Sequence, residues 1–203
     1  MAVSKLHPVE AIQEAAANGM ALFGENRVQE WAQKSAQLGG LDLDVHLIGH
    51  LQSNKAAKAA EIFAAVDTID SLRLAERLND AAGKLNRILP VLIEIKLSPE
   101  ESKTGLDPHL VGPVLDRLPG LPHLRLRGLM TVPPWSEDPE TARPYFAELR
   151  GLRDRLAAEH PRLDFSQLSM GMSGDFAVAI EEGSTCVRIG TAIFGRRAPT
   201  TAE

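Results

Sequence analysis

The sequence predicts an α/β fold, a single (β/α)8 barrel of the TIM type. Strand-like and helix-like segments alternate along the chain, which is typical of parallel strands joined by helical crossovers. The strand-like segments are mostly continuous apolar runs, as expected for strands covered on both faces. Eight such segments are found, and that number favours a closed barrel over an open doubly wound sheet.

Each predicted strand is a short apolar run that ends in small or polar residues. The eight strands are predicted at residues 1–5, 20–23, 45–48, 65–69, 90–96, 124–132, 163–170 and 185–189. Because the strands are parallel, the residues that follow them meet at one rim of the barrel, where this fold places its functional groups.

Seven helices are predicted between these strands, and several carry start or stop signals. They cover residues 9–18, 28–38, 54–63, 72–84, 109–118, 140–159 and 175–182. Pro8 opens the first helix and Gly19 closes it. Asn54 and Ser71 are candidate N-caps, and Gly183 is a suitable stop for the last helix.

Length and composition predict one domain, residues 1–195, followed by a polar tail, residues 196–203. A net charge of -5 provides no basic face, so nucleic acid is not expected as a partner. The only cysteine, Cys186, excludes an internal disulfide and suits a reducing compartment. No apolar run reaches the length of a membrane span, and no signal peptide is recognised. We therefore expect a cytoplasmic protein without a membrane partner.

A phosphate site is predicted after strands seven and eight. Ser173, Gly174, Gly190 and Thr191 are small or hydroxyl-bearing, and backbone N–H groups at such turns bind anions. In this fold, these two loops are the usual phosphate site. Lys5 ends strand one, and a lysine beside a phosphate cradle suggests pyridoxal phosphate bound as a Schiff base.

Each of these residues also has an ordinary explanation. A lone lysine is most often solvated, and Lys96 also ends a strand. Arg188 lies in an apolar strand, where an unpaired cation is costly, so either a salt bridge or a bound cofactor is implied. Ser173 and Gly174 could simply cap a helix, and Asp175 would place a negative charge beside a phosphate. The histidines and the cysteine have no metal-ligand spacing.

Six segments together resemble the YggS/PROSC family, the pyridoxal phosphate homeostasis proteins. They are AVSK (2–5), FGENRVQE (23–30), HLIGHLQSNK (46–55), GLM (128–130), LSMGMSGD (168–175) and VRIGTAIFGRR (187–197). The segments occur in the family's order and extend over nearly the whole chain. This family resembles the barrel domain of alanine racemase, which agrees with the fold predicted from the strand count.

The resemblance implies roles for particular residues, with Lys5 as the Schiff-base lysine. The other implied cofactor contacts are Asn26 in the pocket, Met170 and Ser169 beside the ring, Ser173, Gly190 and Thr191 at the phosphate, and Arg188 at the pyridine nitrogen. An arginine at that nitrogen keeps it unprotonated and weakens the ring as an electron sink.

Members of the family usually carry a helix and part of strand one ahead of the AVSK motif, and this sequence does not show them. No helix is predicted after strand eight either. We therefore expect a barrel that lacks the helix covering the seam between strands eight and one. Lys5 would then lie close to a fraying end.

Three functions fit these observations. The first is a protein that holds pyridoxal phosphate on Lys5 for intracellular homeostasis, without catalytic turnover, with apo pyridoxal phosphate enzymes as candidate partners. The second is an amino-acid racemase, which needs a second acid/base, yet the only tyrosine, Tyr145, lies in a predicted outer helix. The third is a barrel enzyme acting on a phosphorylated metabolite. The sequence favours the first, and we expect a monomer.

Overall fold

Eight parallel strands, paired in chain order, form the centre of the described part of the molecule. The structure is a computed structural model and describes residues 1–98, 100 and 104–195. The strands are β1 (Ala2–Val3), β2 (Leu22–Glu25), β3 (Asp44–Leu47), β4 (Ala65–Ile69), β5 (Leu89–Glu94), β6 (Leu124–Met130), β7 (Gln167–Met172) and β8 (Cys186–Arg188). The predicted fold class is confirmed.

The helices lie outside the sheet and pack on it through apolar faces. Among the described residues they are α1 (Val9–Ala17), α2 (Val28–Ser35), α3 (Ala56–Ile62), α4 (Leu72–Lys84), α5 (Val111–Arg117), α6 (Arg143–Glu159), α7 (Phe176–Glu181) and α8 (Thr191–Phe194). No helix found there is long and apolar enough to cross a bilayer. The predicted polar tail, residues 196–203, lies outside the described residues.

The local signals at the helix ends were correct in part. Ser71 caps α4 by accepting a hydrogen bond from the Leu74 N–H at 3.3 Å, as predicted. Asn54 does not cap α3, because it lies inside a 3-10 turn that precedes the helix, and Lys55 occupies the cap position. The expectation that no helix follows the last strand is wrong, because α8 begins directly after Gly190.

The barrel is nearly closed, and its one weak seam lies between β8 and β1. A single bridge joins Ala2 to Ile189, in place of a full ladder. The Val3 N–H donates to the Ile189 oxygen at 2.8 Å, and the Ile189 N–H donates to the Met1 oxygen at 3.0 Å. The seam therefore brings the residues that follow β8 beside those that follow β1.

The core lies between the strands and the helices. Phe23, Phe63 and Phe146 are fully buried there, and the Trp31 ring packs at 6.4 Å from Phe63. Burial of each such side chain stabilises the fold by roughly 1.5–3 kcal/mol. The core lies away from the carboxyl ends of the strands, where polar residues line a cavity.

Candidate cofactor-binding site

A cavity of about 320 Å³ opens at the carboxyl ends of the strands. This volume is at the lower end of the range of small-molecule pockets. Loops after β1, β2, β6, β7 and β8 contribute to its wall. The residues that line it include Lys5, His7, Asn26, Trp135, Met172, Ser173, Gly174, Asp175, Arg188, Gly190 and Thr191.

The structure brings six of the eight predicted cofactor residues to this cavity, whereas Ser169 and Met170 do not line it. Met170 is fully buried in the hydrophobic core and does not line the cavity. Ser169 is also fully buried, but its hydroxyl accepts a hydrogen bond from Arg188, which does line the cavity. Met172, which follows Gly171 at a register shift of β7 where φ is +94°, contributes to the cavity wall instead.

Lys5 reaches the cavity because β1 ends two residues before it. The Ser4 N–H continues the pairing with β2 by donating to the Gly24 oxygen at 3.1 Å. Lys5 itself is half-buried at the rim. Lys96, the other lysine considered from the sequence, does not line the cavity.

Arg188 is a buried cation at the bottom of the cavity, with 4% of its surface exposed. Its guanidinium donates to the Ser169 hydroxyl and to the Thr131 backbone oxygen, each at 2.8 Å. Among the described residues, no carboxylate lies within ion-pair distance of it, so the salt bridge considered from the sequence is not found there. Burial lowers the pKa of Arg188, although surrounding charges, including those of Glu94 and Asp175, oppose this shift.

The predicted phosphate loops meet at one side of the cavity. The Ser173 hydroxyl accepts a hydrogen bond from the Ala192 N–H at 3.4 Å and so joins the loop after β7 to α8. At Gly190, a Cβ atom would lie only 3.4 Å from the Val3 oxygen, so β8 and β1 come close together here. At Gly174, an added Cβ would meet open space.

Asp175 is turned back toward the strand that precedes it. One of its carboxylate oxygens accepts a hydrogen bond from the Met172 N–H at 2.6 Å. That bond places part of the negative charge on the end of β7, although the residue still lines the cavity. The carboxylate that the sequence places beside a bound phosphate is therefore present at the cavity wall.

His7 and Trp135 are among the cavity-lining residues that were not identified from the sequence. His7 follows Lys5 in the same loop, and its ring lies 4.9 Å from the Phe194 ring of α8. Trp135 follows β6 and is 78% exposed at the cavity rim. Both lie just past a strand end, which is the signal that could have identified them.

Cys186 lies beside this site but has the properties of a structural thiol. Burial raises the pKa of Cys186, so its reactive thiolate form is disfavoured. It does not line the cavity.

The arrangement suits a ligand with three chemical features. An electrophilic carbon would meet the amine of Lys5, and a hydrogen-bond acceptor would meet Arg188, whose two protein bonds use two of its five N–H donors. An anionic group would lie among the hydroxyl and glycine residues of the last two loops. Pyridoxal phosphate carries all three features.

The chain matches the model of one protein family, described as alanine racemase, N-terminal domain, over residues 1–198. The pyridoxal phosphate homeostasis protein of Aquifex aeolicus is 44% identical over 197 residues, covering 97% of this chain and 86% of that protein. The protein of the same name from Escherichia coli K12 is 46% identical over 204 residues, covering 97% and 85%.

Two kinds of solved structure are similar to this one. PipY of Synechococcus elongatus, solved with PLP bound, is 43% identical with a TM-score of 0.91, covering 96% of this chain and 91% of that chain. Alanine racemase of Clostridium difficile is 14% identical with a TM-score of 0.72, covering 98% of this chain and 52% of that chain. The second likeness extends to the fold alone.

Proposed function

Because this chain belongs to the alanine racemase N-terminal domain family, and within it to the pyridoxal phosphate homeostasis proteins, we propose that it binds pyridoxal 5′-phosphate (PLP) as a Schiff base on Lys5. It would hold the cofactor for intracellular PLP homeostasis. PipY, which is similar over nearly its whole length, has been solved with PLP bound.

One observation carries this proposal: a single cavity contains the amine-bearing Lys5, the buried guanidinium of Arg188 and the hydroxyl and glycine residues of two loops. The Lys5 amine would add to the aldehyde carbon of PLP. A carbon–nitrogen double bond would form, and the aldehyde oxygen would leave as water. Ser173, Gly190 and Thr191 would hold the phosphate, and Asn26 would line the pocket.

Arg188 would face the pyridine nitrogen, and this contact favours storage over turnover. Arginine remains protonated in proteins, so it donates a hydrogen bond to that nitrogen without passing on its proton. An unprotonated pyridine is a weaker electron sink, and carbanion chemistry on the cofactor is thereby disfavoured. We therefore propose that the protein binds PLP without catalytic turnover.

A racemase is not favoured by the position of the tyrosine. Racemisation requires an acid/base group on each side of the reacting carbon. Tyr145 lies on α6 and does not line the cavity. The curated relatives named above are homeostasis proteins rather than racemases.

The remaining parts of the proposal concern where the protein acts and with what. Apo PLP-enzymes are the proposed recipients of the cofactor, because a protein that only stores PLP needs an acceptor. We propose a cytoplasmic location, which suits the reduced Cys186 thiol. We also propose that the protein acts as a monomer.

The test is spectroscopic. Addition of PLP to the purified protein should produce a visible absorbance band that is absent in Lys5→Ala and retained in Lys96→Ala. Borohydride reduction followed by peptide mapping should place the adduct on Lys5. An adduct on Lys96, or no band in excess PLP, would overturn the proposal. Steady racemisation of a free amino acid that is lost in Lys5→Ala would show an enzyme instead.

A further inference from the structure

A buried lysine on α2 occupies a position where an apolar residue is expected. The inward face of this helix consists of Val28, Trp31 and Lys34, which recur at the helical spacing. Lys34 is only 8% exposed, and lysine is almost never buried unless it is paired. Its ammonium must therefore have specific partners.

The Lys34 ammonium donates three hydrogen bonds, which is all that a lysine can donate. Its acceptors are the Ser4 backbone oxygen at 2.9 Å, a Glu25 carboxylate oxygen at 2.9 Å and a Glu30 carboxylate oxygen at 2.6 Å. Lys34 does not line the cavity. It is thus engaged in structure and is not a second amine for a Schiff base.

The partners of Lys34 bond the chain on both sides of Lys5. The same Glu30 oxygen that accepts from Lys34 also accepts from the Leu6 N–H at 2.5 Å. The Ser4 hydroxyl donates to Glu25 at 2.7 Å. The Ser4 carbonyl and the Leu6 N–H belong to the two peptide groups that flank the Lys5 Cα, so both of these groups are held.

The backbone at Leu6 requires such an anchor. Its φ angle is +62°, a left-handed conformation that leucine rarely adopts. Its side chain is 59% exposed, so burial does not hold the residue in place. Two hydrogen bonds restrain this turn: the His7 N–H donates to the Ser4 oxygen at 3.0 Å, and the Leu6 N–H donates to Glu30.

The cluster of Glu25, Glu30 and Lys34 contains two carboxylates and one ammonium, and its hydrogen bonds shift the pKa values of both carboxylates. Burial raises the pKa of Glu25, against the opposing effect of the hydrogen bonds from Lys34 and Ser4, and its second oxygen has no partner among the described residues. Burial acts on Glu30 in the same direction, but the bonds from Lys34 and the Leu6 N–H outweigh it and lower the pKa of Glu30. Lys34 is therefore the cation that hydrogen-bonds both carboxylates and favours their charged forms.

We propose that Lys34 is a positioning residue for Lys5: together with Glu30 it clamps the peptide groups on both sides of Lys5 and so fixes the direction of the amine into the cavity. This inference rests on the proposed function. The FGENRVQE segment, which contains Glu25 and Glu30, and the nearby Lys34 would thus position Lys5, which follows a different strand, β1.

The first test compares two ligands on two variants. Pyridoxine 5′-phosphate carries an alcohol in place of the aldehyde, so it reports binding without reaction at Lys5. In Glu30→Ala, we expect the affinity for PLP to fall about tenfold or more, because the amine is no longer aligned. The affinity for pyridoxine 5′-phosphate should change by less than about twofold, within ordinary mutational scatter.

The conservative variant and a matched control complete this test. In Glu30→Gln, the side-chain oxygen can still accept from the Leu6 N–H, so most of the PLP affinity should return. Glu61→Ala removes the acid of an exposed ion pair on α3, Lys58 with Glu61 at 3.0 Å, and should change neither ligand. Equal losses for both ligands in Glu30→Ala, or no loss, would overturn the inference.

A second measurement is independent of the cofactor. In the apo protein, amide hydrogen exchange of the segment around Lys5 should become faster in Glu30→Ala and Lys34→Met, and should be unchanged in Lys58→Met. Unchanged exchange in Glu30→Ala would overturn the clamp. If Lys34→Met does not fold, the Glu30 variants still test the clamp, because Glu30 links Lys34 to the Leu6 N–H.

The two proposals fail in different ways. If wild-type protein forms no adduct on Lys5, the proposed function fails. If wild-type protein forms the adduct and Glu30→Ala forms it with the same affinity, only the positioning role fails.

Discussion

Arg188 shows how a single side chain can serve binding more than stability. A guanidinium removed from water costs several kcal/mol, and the two neutral acceptors at Ser169 and Thr131 offset this cost without a carboxylate. Residues of this kind are found where a ligand supplies the missing interaction. The residue therefore belongs to the site rather than to the core.

The Arg188→Met variant should separate these two roles. We expect apo stability to change by no more than about 1 kcal/mol, because lost hydrogen bonds and relieved desolvation nearly cancel. The affinity for PLP should fall about 10- to 100-fold, the value of a hydrogen bond from a charged group. Urea unfolding and PLP titration measure the two effects.

A suitable control is Arg127→Met, because Arg127 pairs with Asp164 at 3.0 Å and lines a different cavity. It should leave PLP affinity unchanged. Loss of more than about 3 kcal/mol of apo stability in Arg188→Met would assign the residue to the core instead.

His46 should make stability depend on pH. Burial disfavours the charged imidazole, but the hydrogen bond to Asp67 at 3.1 Å and the charges of Asp67 and Asp44 outweigh burial and raise the pKa of His46. Asp44, His46, Asp67 and Arg127 all line a second cavity, separate from the candidate cofactor site. A raised pKa contributes stability that is fully present below the ordinary histidine pKa of about 6.5 and is lost as the pH rises through the folded value.

The variant His46→Gln should therefore lose more stability at about pH 6 than at about pH 8.5, as measured by urea unfolding at each pH. The exposed His109 provides a control for loss of a histidine at the surface, through His109→Gln. A stability difference for His46→Gln that is constant with pH would contradict the assignment.

At the scale of elements, β6 and β7 approach each other closely at one glycine. Gly128 pairs with Gln167 and has a φ of +147°. A Cβ atom there would lie 1.9 Å from the Gln167 backbone oxygen. A side chain at Gly128 would therefore force the two strands apart, and β7 leads directly into the site.

We expect Gly128→Ala to destabilise the protein by about 3 kcal/mol or more, because a backbone clash and an unfavourable φ act together. Gly151→Ala is the matched control. Gly151 is exposed inside α6 with open space around it, so alanine should stabilise the protein by up to about 1 kcal/mol. Urea unfolding measures both, and a mild effect at Gly128 would show that the strands can separate there.

At the scale of the whole molecule, the seam between β8 and β1 is both the weakest join of the barrel and part of the wall of the site. A single bridge connects the two strands, whereas β5 and β6 pair at six positions. Lys5 comes from one side of the seam, and Arg188 and Gly190 come from the other. A ligand that contacts both sides would add contacts to the few hydrogen bonds that already cross the seam.

This arrangement predicts the pattern of amide hydrogen exchange. In the apo protein, the Val3 and Ile189 amides, which bond across the seam, should exchange faster than the Leu126 amide in β6. PLP should slow exchange at the seam more than at Leu126. Equal protection of the seam and β6, or a uniform effect of PLP, would contradict this account.

The sequence by itself determined the alternation of strands and helices and the residues at the strand ends, because apolar periodicity and capping are local properties. Ser71 at α4 and the strand at β4 were predicted at their observed positions for this reason. The observed boundaries of other elements differ from the predicted ones by a few residues, because a strand extends only as far as its neighbours pair with it.

Only the tertiary structure decided which strand ends share a cavity, because that depends on where the barrel closes. It placed His7 and Trp135 on the cavity wall and Met170 in the hydrophobic core. It also brought the Lys34 ammonium into hydrogen-bonding distance of the Ser4 carbonyl, next to Lys5. From the local sequence alone, Lys34 is an ordinary lysine of a helix. Contacts between residues distant in sequence arise from packing of the whole chain, and no local pattern encodes them.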